Sequence, residues 1–256
     1  MKLMLVPRLA AVLALAGVIS TTPAGAETLN QAVDVALVLA IDVSRSISYE
    51  EQQLQLAGYA AAFRDRAVQA AATSGVHGAI AVTVLEWANK SRTEASIPWT
   101  VIDGRTTATA FADAIAALPY RPFPGTSIGT AIAGAHALLD AAPYQPVRRV
   151  IDVSGDGKGF GSSLLEFARH RAIAAGISIN GLPICDEKPC IDLPGFYDQR
   201  VIGGPGAFLV VAESFENFAA AVRSKLIVEI ANLNGEMPLD RRTQAAQKQP
   251  TRLASR

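Results

Sequence analysis

Five side chains that could supply oxygen ligands to a metal ion occur in three short stretches of the chain. Asp42, Ser44 and Ser46 stand at alternate positions directly after an apolar run, in the stretch IDVSRS. Thr126 lies in PGTSIG, and Asp156 lies in SGDG. Carboxylate and hydroxyl oxygens suit Mg²⁺, Mn²⁺ or Ca²⁺ better than Zn²⁺ or copper. Two carboxylates and three hydroxyls leave an octahedral ion with an open position, which a water or an incoming carboxylate could fill.

Each of these residues also has a simpler structural explanation. Serine and threonine are common helix caps, so Ser46 and Thr126 could serve only that purpose. Asp156 lies between two glycines and could be an ordinary turn residue. A shared site is favoured because, in a parallel sheet, all three stretches would meet outside the carboxyl ends of the strands, where such sheets bind ligands.

Strand and helix patterns alternate along the chain, which predicts a doubly wound α/β fold with a mostly parallel central sheet and helices on both faces. The run at 33–41 is almost wholly apolar, as expected for a central strand covered on both faces. Predicted strands cover 33–41, 79–87, 93–99, 148–153, 177–182 and 206–212, and predicted helices cover 48–71, 106–118, 126–141, 163–176 and 214–231. The strand at 93–99 contains Pro98 and follows a short connection, so we expect an antiparallel edge strand.

Composition and the chain ends predict an exported protein with one globular domain. The chain has 256 residues, half of them apolar and 18% charged, with zero formal net charge. This composition can bury a sizeable core, and it gives no indication of nucleic acid or an anionic membrane as a partner. Residues 1–26 have the basic, apolar and small-residue regions of a cleavable signal peptide. We therefore expect a periplasmic or secreted protein without a membrane span after cleavage, with a domain over 31–232 and a disordered polar tail over 235–256.

Cys185 and Cys190 are the only cysteines of the chain. An exported protein meets an oxidising compartment, so we predict a disulfide bond between them. Two cysteines without histidine neighbours would make a poor zinc site.

The series Asp42-x-Ser44-x-Ser46, Thr126 and Asp156 resembles the von Willebrand factor A-domain family, over about residues 33–231. The resemblance implies a metal-ion-dependent adhesion site. In such a site the three hydroxyls would bind the ion, the two aspartates would bind directly or through water, and an Asp or Glu of a partner protein would complete the shell. The stretches INGLP at 179–183 and VIGGPG at 201–206 are similar to a bacterial exported subgroup of unknown function.

The predicted function is an exported, non-catalytic, adhesion-type protein-binding module that depends on a divalent cation, with Mg²⁺ as the expected ion. The alternative is a serine hydrolase, because Ser127 lies in GTSIG, which matches the G-x-S-x-G nucleophile elbow. That elbow needs a strand leading directly into the turn, whereas the proline-rich stretch PYRPFPG precedes Ser127. His136 and His170 both fall within predicted helices. A scaffold that has lost its metal site is a third possibility, and the five intact ligands count against it.

Two loops are expected to determine which partner is bound, because both would lie on the metal-binding face. They cover residues 158–162 and 183–204. Their candidate contact residues are Lys158, Asp186, Glu187, Phe196 and Tyr197.

Overall fold

The computed structural model describes residues 31–89, 95–159, 161–185, 190 and 192–231. Over these residues the chain forms a five-stranded sheet in the order β3-β2-β1-β4-β5. The strands are β1 (Gln31–Asp42), β2 (Ile80–Trp87), β3 (Ile97–Ile102), β4 (Tyr144–Gly155) and β5 (Ser178–Pro183). All neighbouring pairs are parallel except β2 and β3, which are antiparallel. The predicted doubly wound fold with an antiparallel edge strand is therefore confirmed.

β1 is the central strand because its apolar residues can be covered on both faces. Val35, Leu37 and Leu39 belong to one hydrophobic cluster, whereas Ala36 and Val38 belong to the cluster on the opposite face. This alternation is the period of two that a strand imposes on its side chains. Each Leu of this kind contributes roughly 1.5–3 kcal/mol when it is fully buried, so the strand is held firmly in place.

Seven α-helices flank the sheet within the described residues. They are α1 (Tyr49–Arg64), α2 (Arg66–Ala72), α3 (Arg105–Ala116), α4 (Ile128–Asp140), α5 (Ser162–Ala174), α6 (Leu193–Phe196) and α7 (Phe218–Ala231). Helices α1, α2, α3 and α7 pack against the face that contains Leu37, and α4 and α5 pack against the face that contains Val38. Helices therefore cover both faces, and the loops at the carboxyl ends of β1 and β4 remain at one edge of the sheet.

The predicted helix over 48–71 is divided into α1 and α2 at Asp65. The backbone of Asp65 is extended, with φ −71° and ψ 135°. Its carboxylate accepts hydrogen bonds from the backbone N–H of Ala67 and Val68, so it caps the second helix. An Arg223 side chain from α7 also donates to this carboxylate, at 2.8 Å. The capping bonds and the ion pair stabilise this break in the helix, which the apolar pattern of the sequence did not indicate.

The prediction of a strand over 206–212 is wrong. This segment forms isolated bridges in place of a ladder, from Leu209 to Gly181 within β5 and from Ala212 to Ile184 just after β5. The backbone N–H of Phe208 donates to the side-chain oxygen of Asn180, at 3.0 Å, so a regular ladder is interrupted there. The long loop predicted over 183–204 also contains structure, because α6 runs into a single π-helical turn at Tyr197–Val201.

Two of the sequence-based predictions concern the chain ends. The signal peptide at 1–26 and the polar tail at 235–256 lie outside the described residues. Within the part of the chain that the structure describes, no helix combines the length and the apolar character that a membrane crossing needs.

Candidate metal centre

The loop after β1 folds back on the strand through hydrogen bonds of its own polar side chains. Asp42 is completely buried, and its Oδ1 accepts a 2.8 Å hydrogen bond from the backbone N–H of Ser44. The Oγ atoms of Ser44 and Ser46 are 2.9 Å apart. A side chain that hydrogen-bonds the backbone two residues on stabilises a tight turn. The turn places both hydroxyls beside the aspartate, as the alternate spacing predicts.

Asp156 joins this group from the end of β4. β1 and β4 pair in parallel up to Ile41 and Ser154, so their carboxyl ends lie side by side. Ser46 Oγ donates a 3.1 Å hydrogen bond to Asp156 Oδ1. Gly155 allows the end of β4 to pack closely against Asp42, because a Cβ atom on it would lie 2.7 Å from Oδ2 of Asp42. A larger residue at that position would displace the aspartate.

Thr126 reaches the same edge through the proline-rich loop. The backbone N–H of Phe123 donates to the carbonyl of Val43 at 2.9 Å, which ties this loop to the loop after β1. The Cγ2 atom of Thr126 is 3.6 Å from the position that a Cβ atom on Gly157 would occupy. Thr126 therefore lies beside the residue that follows Asp156. The structure thus brings the three ligand-bearing stretches to one place.

The electrostatics of this group fit a cation. Burial, together with the nearby Asp156 carboxylate, raises the pKa of Asp42 to about 7. Within the described residues, Oδ2 of Asp42 is buried and accepts no hydrogen bond. A buried carboxylate oxygen without a partner is costly, and a bound divalent cation would satisfy it while neutralising the repulsion between the two aspartates.

The donor set is restricted to oxygen. In the described part of the chain, no group of three or more His, Cys, Asp or Glu side chains could hold a metal ion. A cation at this edge would therefore depend on the hydroxyls of Ser44, Ser46 and Thr126 as much as on the two carboxylates. Such a set of donors suits a hard ion that keeps water or accepts an external ligand.

Ser127 does not form a catalytic triad in this arrangement. It is buried and caps α4, where its Oγ is 2.7 Å from Oγ1 of Thr130. His136 lies on the same helix, with Nε2 3.4 Å from Oδ2 of Asp140. Among the described residues, no histidine is hydrogen-bonded to Ser127. The serine thus lacks the neighbouring base that a nucleophile needs.

The candidate specificity residues have different positions. Lys158 is exposed, and its Nζ is 3.2 Å from Oδ2 of Asp192. Phe196 is half-buried and makes an edge contact with the ring of Tyr197. Tyr197 itself is completely buried and donates to the carbonyl of Gly155 at 3.5 Å. The expectation that Tyr197 contacts a partner is therefore wrong, because its ring is buried beneath the candidate site. Asp186 and Glu187 lie outside the described residues.

The disulfide bond between Cys185 and Cys190 is present, with their Cα atoms 5.3 Å apart. Cys185 is buried directly after β5, and its N–H donates to the carbonyl of Ala212 at 2.8 Å. The disulfide bond thus anchors the start of the loop that follows β5.

A buried charged group beneath the site was not predicted. Lys225 on α7 is fully buried, with Nζ 2.6 Å from Oδ1 of Asp152 and 2.9 Å from Oε1 of Glu229. Asn180 Nδ2 donates to the same Glu229 oxygen at 2.6 Å. Burial alone would lower the pKa of Lys225, but the two carboxylates outweigh burial and raise it. The Asp within the apolar run RRVIDV and the Lys–Glu spacing of four in α7 were the available sequence indications.

Three solved structures illustrate the similarity of this fold to von Willebrand factor A domains. Proximal thread matrix protein 1 from the mussel byssus has a TM-score of 0.56 and 15% identity, over 78% of this chain and 47% of that chain. The von Willebrand factor domain of the type V pili tip protein Mfa5 from Porphyromonas gingivalis also has a TM-score of 0.56, with 10% identity, over 81% of this chain and 99% of that one. A von Willebrand factor type A protein from Catenulispora acidiphila has a TM-score of 0.53 and 16% identity, over 79% and 43% of the two chains.

This chain therefore spans about half the length of the mussel protein. The search of curated proteins found no match. At these identities the similarity establishes the fold, which is of the von Willebrand factor A type. A family model described as "Protein of unknown function (DUF1194)" matches residues 32–234. Because this match covers most of the sequence, the chain belongs to the DUF1194 family.

Proposed function

We propose that this protein is an exported, non-catalytic binding module that holds a divalent cation and uses it to bind an Asp or Glu carboxylate of a partner protein. The observation that carries the proposal is the hydrogen-bonded group of Asp42, Ser44, Ser46 and Asp156, in which a buried oxygen of Asp42 has no hydrogen-bond partner among the described residues. Thr126 lies beside this group, and its hydroxyl would supply a further oxygen ligand.

The ligands would divide their roles by charge. Ser44, Ser46 and Thr126 would bind the ion through neutral hydroxyls, while Asp42 and Asp156 would bind directly or through water. Only two anionic groups would then face a divalent ion, which leaves it attractive to a carboxylate from outside. Mg²⁺ is the expected ion, with Mn²⁺ and Ca²⁺ as alternatives, because all three prefer oxygen ligands.

The comparisons with solved structures support a protein-binding module. One relative is a pilus tip domain and another is a thread matrix protein of the mussel byssus. A further structure of the mussel protein has a zinc-occupied adhesion motif. Tests of metal binding should therefore include an ion other than Mg²⁺. The disulfide bond supports export, because such bonds persist in oxidising compartments. We propose that the signal peptide covers 1–26, the domain 31–232 and a polar tail 235–256.

Isothermal titration calorimetry with Mg²⁺, Mn²⁺ and Zn²⁺ tests the metal site. Asp156→Asn removes one carboxylate charge at nearly constant shape, and we expect it to weaken binding at least about tenfold. The matched control is Asp103→Asn, which changes an exposed aspartate directly after β3. Because β3 runs antiparallel to β2, it ends on the side of the sheet away from the carboxyl ends of the parallel strands. Equal metal affinity of the native protein and Asp156→Asn would contradict the site.

A second experiment tests the binding role. The purified protein is used to capture partners from the exported fraction with Mg²⁺ and with a chelator, and the Asp156→Asn variant is run in parallel. Partners that are retained only by the native protein in Mg²⁺ are expected. Ester hydrolysis that is lost in Ser127→Ala would instead favour the hydrolase.

A further inference from the structure

Two exposed tyrosines lie in contact beside the proposed metal centre. Tyr49 is 53% exposed and Tyr120 is 38% exposed. Their ring centroids are 5.5 Å apart with an interplanar angle of 87°, an edge-to-face arrangement. The hydroxyl of Tyr120 also donates to the carbonyl of Ile47 at 3.4 Å. The pair is thus held in a defined geometry while both rings remain accessible to a partner.

Both tyrosines belong to segments that carry proposed metal ligands. Tyr49 is the first residue of α1 and lies three positions after Ser46. Tyr120 lies in the loop that continues to Thr126, and this loop pairs with Ser44 through Phe123. The tyrosine pair therefore borders the metal centre along the junction of its first and second ligand-bearing loops.

An exposed aromatic pair of this kind suits binding more than stability. Tyrosine offers a large apolar surface with few rotatable bonds, so its ordering costs little conformational entropy on association. In the part of the chain described, every other aromatic ring pair contains at least one partner that is buried or half-buried. The Tyr49–Tyr120 pair buries little surface against the core. A bound partner would therefore be the group that covers it.

Two exposed arginines lie close to the tyrosine pair in the sequence. Arg45 lies between Ser44 and Ser46, and Arg121 directly follows Tyr120. Both arginines are exposed, and neither forms an ion pair with a described residue. Glu50 and Glu51 follow Tyr49 in the first turn of α1, where Oε2 of Glu51 accepts a hydrogen bond from the backbone N–H of Ser48 as part of the helix cap. The two arginines lie in the loops that carry the proposed ligands, and they are the groups there that would attract a negative charge. An acidic segment is the complementary partner.

We propose that Tyr49 and Tyr120 form an aromatic ledge that receives an apolar or aromatic side chain adjacent to the partner's metal-binding carboxylate. Arg45 and Arg121 attract further acidic residues of the same segment. The partner is thus an acidic protein segment in which an Asp or Glu is flanked by a bulky apolar residue. This inference rests on the proposed function, because the carboxylate must reach the bound cation.

Short synthetic peptides test the ledge directly. Each peptide contains one Glu in a Gly–Ser background, flanked by Gly, Leu, Pro or Trp, and binding is followed by fluorescence anisotropy in Mg²⁺ and in a chelator. For the native protein, we expect Trp or Leu flanks to tighten binding about tenfold over Gly flanks. The double variant Tyr49→Ala/Tyr120→Ala should bind Trp-flanked and Gly-flanked peptides equally. Mg²⁺ affinity by calorimetry verifies that this variant keeps its fold.

Phe167→Ala is the matched control for loss of an exposed aromatic ring. Phe167 is 60% exposed on α5, where Arg171 lies over its ring. This variant should keep the preference for bulky flanks. A native protein that shows chelator-sensitive binding without any flank preference would overturn the ledge while leaving the proposed function intact. Failure to bind any of the peptides in Mg²⁺ would contradict the proposed function, and with it the ledge.

The arginines have their own test. A second Glu placed two residues from the first should tighten binding to the native protein, and this gain should shrink as salt is raised from 50 to 500 mM, a range over which the screening length falls severalfold. Arg45→Gln/Arg121→Gln should remove the gain but keep the Trp preference. A gain that persists in this double variant would overturn the assigned role of the arginines.

Discussion

Ser46 donates a hydrogen bond to Asp156 across a sequence separation of 110 residues. The bond links the loop after β1 to the loop after β4, and it does so because these strands are parallel neighbours that end together. A hydroxyl and a carboxylate that hydrogen-bond each other are also close enough to share a metal ion. This contact is why the oxygen group can be treated as one centre rather than as separate caps and turns.

Bound Mg²⁺ should stabilise the folded protein. The ion meets the assembled oxygen group only in the folded state, so a concentration of 100 times Kd should raise the free energy of unfolding by about 2.7 kcal/mol. Urea unfolding with Mg²⁺ and with a chelator measures this gain. The gain should disappear in Asp156→Asn and persist in Asp103→Asn. A native protein with identical midpoints in both solutions would refute the prediction.

Gly155→Ala should disturb both the proposed metal centre and the core. The added Cβ would lie 2.7 Å from Oδ2 of Asp42 and 3.2 Å from the ring of Trp87. We expect a loss of about 1–3 kcal/mol in unfolding free energy, since overpacking forces its neighbours to shift. Mg²⁺ affinity should also fall. Gly195→Ala is the control, because no atom lies within 4 Å of its added Cβ. Native-like values for Gly155→Ala would show that this close approach has no role.

Lys225→Met should be strongly destabilising at neutral pH. The variant leaves Asp152 and Glu229 in the core without their common cation, and breaking a buried pair typically costs about 3–5 kcal/mol. The companion variant Lys225→Met/Asp152→Asn removes one of the stranded carboxylate charges and should recover part of the loss. Chemical unfolding of both variants at pH 7 measures the difference. Equal stability of the two variants would show that the carboxylates do not repel each other there.

The buried charged group should also make stability depend on pH. Burial and the Glu229 carboxylate raise the pKa of Asp152 to about 7, although Lys225 opposes this rise. Asp152 also lies near the rings of Tyr59 and Tyr197, whose own pKa values are raised by burial first and by nearby carboxylates second. The folded state therefore binds a proton more tightly than the unfolded chain does, where an aspartate has a pKa of about 3.9.

The sign of the effect follows from that order of pKa values. The contribution of Asp152 to stability is fully present below about pH 4 and is lost as the pH rises towards 7. Relative to Asp152→Asn, the native protein should lose on the order of 1–3 kcal/mol of unfolding free energy between pH 4.5 and pH 7.5. Urea titrations across this range, with both proteins in the same buffers, measure the difference. Parallel pH profiles for the two proteins would contradict the assignment.

The sequence was sufficient to predict the grouping of the oxygen-bearing side chains where spacing and topology act together. Asp42, Ser44 and Ser46 follow a strand that can only be central, and the carboxyl ends of parallel strands meet at one edge. Asp156 was predictable as a member of the group because it follows a predicted strand, and Thr126 because it opens a predicted helix after a loop. Their approach to one another depends on the register of β1 and β4, which no local pattern encodes.

Other features depend on contacts that only the folded chain makes. The break at Asp65 depends on an arginine from α7, far along the chain. The burial of Lys225 depends on an aspartate from β4, and a lysine in a helix is ordinarily expected at the surface. Tyr197 was expected to contact a partner, but the helical turn that begins with it directs its ring inward. In each case the local pattern was compatible with the prediction, and a long-range polar or packing contact decided the outcome.

The irregular segment after the π-helical turn covers the outer side of β5. β5 is an outer strand, and its free N–H and C=O groups would otherwise be available to a strand of another molecule. Backbone bonds to residues 203–212 occupy these groups, for example from Gly181 to the carbonyl of Phe208 and from Val210 to the carbonyl of Gly181. Because the covering segment is not itself a regular strand, it offers no continuous template for a further one. The fold thereby blocks edge-to-edge polymerisation on this side.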